Sequence, residues 1–217
     1  MKDYKSVYHE GYYLYEEKRS RFIARVRPVL TEQEAIDYIN GIKAECWDAT
    51  HNCYAYHVAN EAVYQRYSDD GEPSGTAGMP ILEVIRKKQL VNVVVVVTRY
   101  FGGILLGAGG LVRAYGKAAA GGLEDACEIW VKTCIHAKIR IEYHLSGKLQ
   151  NMLMHEGYLV RDVAYADDVT FEVLLETLRR DNFEKMLNDL TGGRSDVTYL
   201  GKVPVKLDLK GNVLEMG

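Results

Sequence analysis

No stretch of this chain is long and apolar enough to cross a bilayer: the longest uninterrupted apolar run, Val93 to Val97, has the length of a strand. The N-terminal stretch MKDYKSVYHEGYYLYEEKR lacks the apolar core of a secretory signal, so no such signal is expected. Cysteine is sparse, with Cys46, Cys53, Cys127 and Cys134 and no C-x-x-C pair. That excludes a disulfide framework and points to reduced thiols in a cytoplasmic protein with no membrane partner. Charge of either sign is not in surplus, since 27 Lys+Arg stand against 30 Asp+Glu for a net charge of −3. A polyanion binder acting through overall charge is therefore excluded, and only local patches carry an electrostatic argument. The balance holds in both halves: 16 Lys+Arg face 17 Asp+Glu in residues 1–136, and 11 face 13 in the remainder.

What the chain has in quantity is glycine, 20 residues, and tyrosine, 16 residues concentrated in the first third. Most of the tyrosines alternate with polar residues, which suits half-buried strands. The glycines cluster at the two ends of one β-branched strand, Val93 to Thr98. That strand is apolar on both faces and is expected at the centre of a sheet with layers above and below. Before it lie the acidic loop Ser68 to Gly78 and a helix opening near Pro80; after it come Arg99-Tyr100-Phe101-Gly102-Gly103 and a turn, Gly107-Ala108-Gly109-Gly110, that starts another helix.

Gly11 to Glu16 and Ser20 to Val26 read as two strands joined by a charged turn. Thr31-Glu32-Gln33-Glu34 is a capping box for the helix that follows. Cys53 to Val58 and Val63 to Ser68 form a hairpin across Asn60-Glu61. From Trp130 onward the pattern is strand, helix, strand, strand, helix, strand, the split βαβ arrangement of ferredoxin-like domains. The fold class is α+β, with a boundary expected near residue 136 that gives domains 1–136 and 137–217.

Four constellations bear on function. Lys18, Arg19, Arg21, Arg25 and Arg27 lie within ten residues, and the four arginines share strand parity. They form either a strip for phosphate or a charged edge that resists pairing. Asp69, Asp70 and Glu72 are either carboxylates for Mg²⁺ or acid–base work, or acceptors for loop and helix-start amides. Arg99, Tyr100 and Phe101 offer charge and stacking faces, or else fold into a sharp turn. Gly107, Gly109 and Gly110 with Arg113 resemble an anion-binding helix start but match no nucleotide fingerprint. His51, Cys53 and His57 have loose metal-like spacing without a second ligand pair, so neither metal nor cofactor is expected.

The residues Glu17 to Ile23, His51 to Ala55, Ser68 to Gly78, and Val97 through Tyr115, in that order, closely resemble the bacterial YigZ-like branch of the IMPACT family. The resemblance implies an N-terminal α/β domain like domain 2 of ribosomal protein S5. It also implies a C-terminal ferredoxin-like domain similar to the last domain of elongation factor G. Eukaryotic relatives in that family act in translational control through a protein partner, using an additional domain. The function expected is an RNA- or ribosome-associated protein that modulates translation without catalysis of its own. Its phosphate contacts would be Lys18, Arg19, Arg21, Arg25, Arg27, Arg99 and Arg113. The alternatives are a metal-dependent enzyme acting on a phosphorylated substrate through Asp69, Asp70 and Glu72, and a protein-binding adaptor.

Overall fold

The computed structural model describes residues 3–60 and 62–217. The chain divides into two compact units, Tyr4–Trp130 and Val131–Gly217 with Asp3. The first unit contains β1 (Tyr4–Val7), β2 (Gly11–Glu17), β3 (Ser20–Pro28), α1 (Glu32–Glu45), β4 (His51–Ala59), β5 (Val63–Ser68), α2 (Gly78–Lys87), β6 (Val93–Tyr100) and α3 (Ala108–Asp125). Strand β7 (Glu128–Ile141) runs across the division, and the boundary expected near residue 136 falls inside it. Of the turn expected at Asn60-Glu61, Glu61 lies outside the described residues.

The first unit is built on a sheet of order β2-β3-β6-β4-β5, antiparallel at every pairing. Strand β6 is central, as its two apolar faces require. Val93, Val95 and Val97 enter one core with Ile81, Leu82 and Ile85 of α2 and Ala118, Ala119 and Leu123 of α3. Val94 and Val96 enter a second core with Ala35, Ile39 and Ile42 of α1. Arg99 and Tyr100 are the last residues of β6 rather than part of a following turn.

The sequence signals for helix ends act largely as expected. Thr31 Oγ1 accepts from the Glu34 amide at 3.1 Å, while the Glu34 carboxylate accepts from the amide of Leu30 at 2.8 Å, one residue before the cap. Helix α3 continues through Gly121 and Gly122 because those glycines are contact points: an added Cβ would lie 2.4 Å from the Tyr13 ring at the first and 3.0 Å from Ala24 Cβ at the second.

The second unit continues from β7 with α4 (Tyr143–His155), β8 (Leu159–Tyr165), β9 (Val169–Glu176), α5 (Arg180–Thr191), β10 (Asp196–Asp208) and β11 (Val213–Met216). The order β10-β7-β9-β8 is that of a ferredoxin-like sheet, extended by β11 at the β10 edge. Ile139, Phe171 and Val173 pack beneath Leu149 and Leu153 of α4 and Phe183 and Leu187 of α5. Helix α5 stops at Gly192, whose φ of +62° closes it in the left-handed region. Among the described residues no helix is long and apolar enough to cross a membrane.

Two glycines give opposite expectations. A Cβ at Gly11 would fall 2.3 Å from the carbonyl oxygen of Gly122 and 2.7 Å from Ala126, so Gly11→Ala should destabilise by about 1–3 kcal/mol in urea unfolding. Gly41 in α1 has nothing within 4 Å of such a Cβ, and Gly41→Ala should raise stability by about 0.5–1 kcal/mol.

Candidate functional site

The paired residues Arg21 and Tyr100, His51 and Arg99, and Tyr54 and Ser68 bring the start of β3, the end of β6, the start of β4 and the end of β5 to one end of the sheet. Helices α2 and α3 both start there, so the motifs singled out in the first unit's sequence converge on it, except the far end of the arginine strip and His57, which pairs with Val93 at the opposite end.

The acidic loop is occupied by its own chain. Asp69 Oδ1 accepts from the amides of Ala77 at 3.0 Å and Gly78 at 2.8 Å, and Oδ2 accepts from Gly75 at 2.8 Å. It therefore satisfies amides at the start of α2 that have no carbonyl partner within the helix. Asp70, held at φ +44°, receives Lys43 Nζ on Oδ1 and the Asn52 amide on Oδ2, each at 2.7 Å.

Glu72 turns inward. Its Oε1 accepts from Arg99 Nη1 at 2.6 Å and from the Tyr115 hydroxyl at 2.8 Å, and its Oε2 lies 3.8 Å from His51 Nε2. The ion pair is buried, with side-chain exposures of 6% for Arg99 and 3% for Glu72. His51 Nδ1 sits 2.8 Å from the Asp70 carbonyl, which only accepts and so places the proton on Nδ1. The Arg99 guanidinium lies between the rings of Phe22 and Phe101, at 5.5 and 5.4 Å, and its buried Nε has no partner among the described residues.

Cys53 completes this interior. Its sulfur is 3.3 Å from Tyr115 Oη and 3.0 Å from the Asp69 carbonyl. Burial, followed by the surrounding carboxylates, pushes the thiol up to about 12, and burial likewise drives the Tyr115 hydroxyl upward so that it remains a donor to Glu72. Among the described residues no three His, Cys, Asp or Glu side chains are placed to hold a metal ion.

The cations are arranged differently from the strip expected. Arg19 lies outside β3: Lys18 and Arg19 form the two-residue β2–β3 turn, at φ +46° and +66°. Such a turn favours glycine or asparagine, and two cationic side chains there are a local strain. Gly102 packs against the turn so closely that a Cβ would fall 2.1 Å from the Arg19 carbonyl carbon, and its amide donates to Ser20 Oγ at 3.1 Å. Arg21 rests over the Tyr100 ring at 5.0 Å. Arg25 instead pairs with Glu45 at 2.7 Å, and Arg27 lies 3.4 Å from Glu10 and over Tyr38.

Beside the turn, the uncapped start of α3 opens a cleft of about 250 Å³. Its walls include Lys18, Gly110, Arg113, Lys117, Leu106 and Tyr15, with Glu17 tied back by the Tyr15 hydroxyl at 2.7 Å. Lys18, Arg113 and Lys117 have no carboxylate within ion-pair distance among the described residues, and Lys117 rests over the Tyr15 ring. Gly107, at φ +70°, makes the turn into the helix, with Gly109 and Gly110 in its first residues. The structure thus gathers Lys18, Arg19, Arg21, Phe101, Arg113 and the glycine turn at one end. It leaves Arg25 and Arg27 against acids, Arg99 and Glu72 buried, and Asp69 and Asp70 half-buried with their oxygens engaged. Lys117 and Tyr15 escape a reading by motif because each belongs to an ordinary pattern, a helix face and an alternating strand. Tyr115 is hidden likewise within the buried face of α3.

Family models describe the same two parts. The Impact N-terminal domain matches residues 18–123, and a domain of unknown function, DUF1949, matches residues 139–194. The chain is 43% identical over 190 residues to the IMPACT family member YvyE of Bacillus subtilis, covering 85% of this chain and 88% of that protein. It is 31% identical over 178 residues to the IMPACT family member YigZ of Escherichia coli, covering 81% and 87%. Protein IMPACT of Rattus norvegicus matches 42% of this chain and 30% of its own length at 37% identity. A crystal structure described as that of a hypothetical protein aligns with 91% of this chain and 97% of its own, with a TM-score of 0.58 and 29% identity.

Removing one member of the buried pair leaves the other charge unpaired, so Arg99→Met should cost about 3–5 kcal/mol. Adding Glu72→Gln to it should cost less than the two single changes combined, which a double-mutant cycle by urea unfolding measures. Exposed Cys127 should react with iodoacetamide at neutral pH while Cys53 stays unmodified in the folded protein, as mass mapping of the alkylated chain checks.

Proposed function

The chain belongs to the IMPACT family, and on that premise we propose that its first unit binds RNA phosphates in a translation-linked, ribosome- or RNA-associated role that needs no catalysis of its own. The observation that carries this reading is the cleft at the start of α3. Lys18, Arg113 and Lys117 border it with no carboxylate in ion-pair distance among the described residues, beside helix-start amides that have no side-chain cap. Phosphate oxygens complement both features, since the helix start carries partial positive charge and the ammonium and guanidinium groups supply charge-assisted hydrogen bonds. Arg19 and Arg21 extend the positive surface from the cleft across the end of the sheet.

The acidic loop supports the same reading. The oxygens of Asp69 and Asp70 are engaged by backbone amides and Lys43, and Glu72 is engaged by Arg99 and Tyr115. Those carboxylates hold the two glycine-rich loops in place, and none of them lines the cleft. The family resemblance supports the link to translation, and the unpaired cations of the cleft support phosphate as the ligand.

Co-sedimentation with ribosomes at low and high salt tests this function. The chain should pellet with ribosomes, release as salt rises, and lose most binding on Lys18→Glu/Arg113→Glu/Lys117→Glu. With single-stranded RNA the salt slope should fall by about 0.7 for each phosphate contact removed. Binding that ignores both salt and these substitutions would overturn the reading, and a partner retained after RNase treatment would assign the surface to protein.

A further inference from the structure

The same end of the sheet exposes apolar and aromatic side chains that the phosphate reading does not use. Trp47, in the turn after α1, is 83% exposed; Leu105 is 83% exposed and Phe101 46%. The Trp47 turn is fastened to the end of β6. Thr50 donates its amide to the Arg99 carbonyl at 2.9 Å, and Thr50 Oγ1 accepts from the Phe101 amide at 3.0 Å. The Tyr100 hydroxyl donates to Asp48 Oδ1 at 3.1 Å. Trp47 and Phe101 therefore belong to one braced surface rather than to two independent loops.

Each ring on the β6 side is backed by a cation. Arg99, fixed by Glu72, supports Phe101 from within, and Arg21 lies over Tyr100. A ring supported on one face and open to solvent elsewhere is preorganised to stack, because little side-chain freedom is lost when a planar partner arrives. Charge points to that partner: Lys18, Arg19, Arg21, Arg113 and Lys117 have no ion-pair partner among the described residues, so a planar ligand here would carry negative charge.

We infer that this end is a platform for single-stranded RNA, with Phe101 and Trp47 stacking on unpaired bases while the turn and the α3 cleft hold phosphates. The inference rests on the proposed RNA reading and narrows it. A duplex presents phosphates but keeps its base faces stacked inside, so it would engage the cations alone. Glu72 and Arg99 act here as positioning residues for Phe101.

The chain's two tryptophans make the test direct. In a Trp130→Phe chain, emission comes from Trp47, and it is titrated with oligouridylate and with the same strand annealed to oligoadenylate. The single strand should quench Trp47 and bind at least about tenfold more tightly than the duplex. Phe101→Ala and Trp47→Ala should each weaken single-strand binding about tenfold and leave duplex binding unchanged, read by anisotropy of a labelled strand. Trp47→Ala alters a residue almost wholly in solvent, and a melting curve, with Phe101→Leu as a milder change, separates lost stacking from lost folding. Equal binding of both nucleic acids without quenching overturns the single-strand platform and leaves phosphate binding standing. Binding of neither overturns both and points to a protein occupant.

Discussion

The end of the first unit's sheet where the motifs converge depends on the buried ion pair between Glu72 and Arg99. Withdrawing two charges from water costs several kcal/mol per ion, and their attraction repays this only where further hydrogen bonds complete the geometry. Here Glu72 also accepts from Tyr115, and Arg99 lies between two aromatic rings, yet Arg99 Nε remains without a partner among the described residues. An arrangement so dehydrated is better understood as fixing position than as adding stability. It joins the loop before α2, the end of β6 and the body of α3, which are far apart in sequence. It also supports the first residue of the exposed loop, Phe101.

Around that interior the charges divide by location. Carboxylates of the acidic loop point at amides, Lys43 and Arg99, so the loop is neutralised from within. Cations of the β2–β3 turn and of α3 point outward. The chain's overall charge of −3 conceals this division, since no sum over composition distinguishes a carboxylate capping a helix from one facing solvent. The left-handed turn at Lys18-Arg19 sharpens the point. Glycine or asparagine would relieve the strain, and basic residues stand there instead, beside the cleft.

Much of the fold was legible because its signals are local. The capping residue Thr31, the two-faced apolar strand β6, the stop at Gly192 and the βαββαβ order of the second unit follow from spacing within a few residues. Strand β11 was not legible: it is four residues long and is defined by the Asp208 turn that returns it to β10. The site was legible as a set of motifs but not as an arrangement. Parity placed Arg19 with Arg21, Arg25 and Arg27, and the two-residue turn removed it from that register. Sequence also could not choose between catalytic and structural carboxylates. The choice depends on which amides lie within 3 Å of Asp69 and Asp70, a matter of tertiary packing. Trp47 carried no motif at all, and only its exposure beside the end of β6 marks it.

The surface proposed to meet RNA is one end of the first unit's sheet, organised by the Glu72–Arg99 pair. Amide chemical-shift mapping of the full chain titrated with a short oligoribonucleotide tests that claim most directly. The predicted result is a contiguous set of shifts at Lys18–Arg21, around Trp47 and from Phe101 to Lys117, with Arg25, Arg27 and the second unit unmoved. Shifts confined to the second unit or to the far end of β3 at Arg27, or none at saturating RNA, would contradict it.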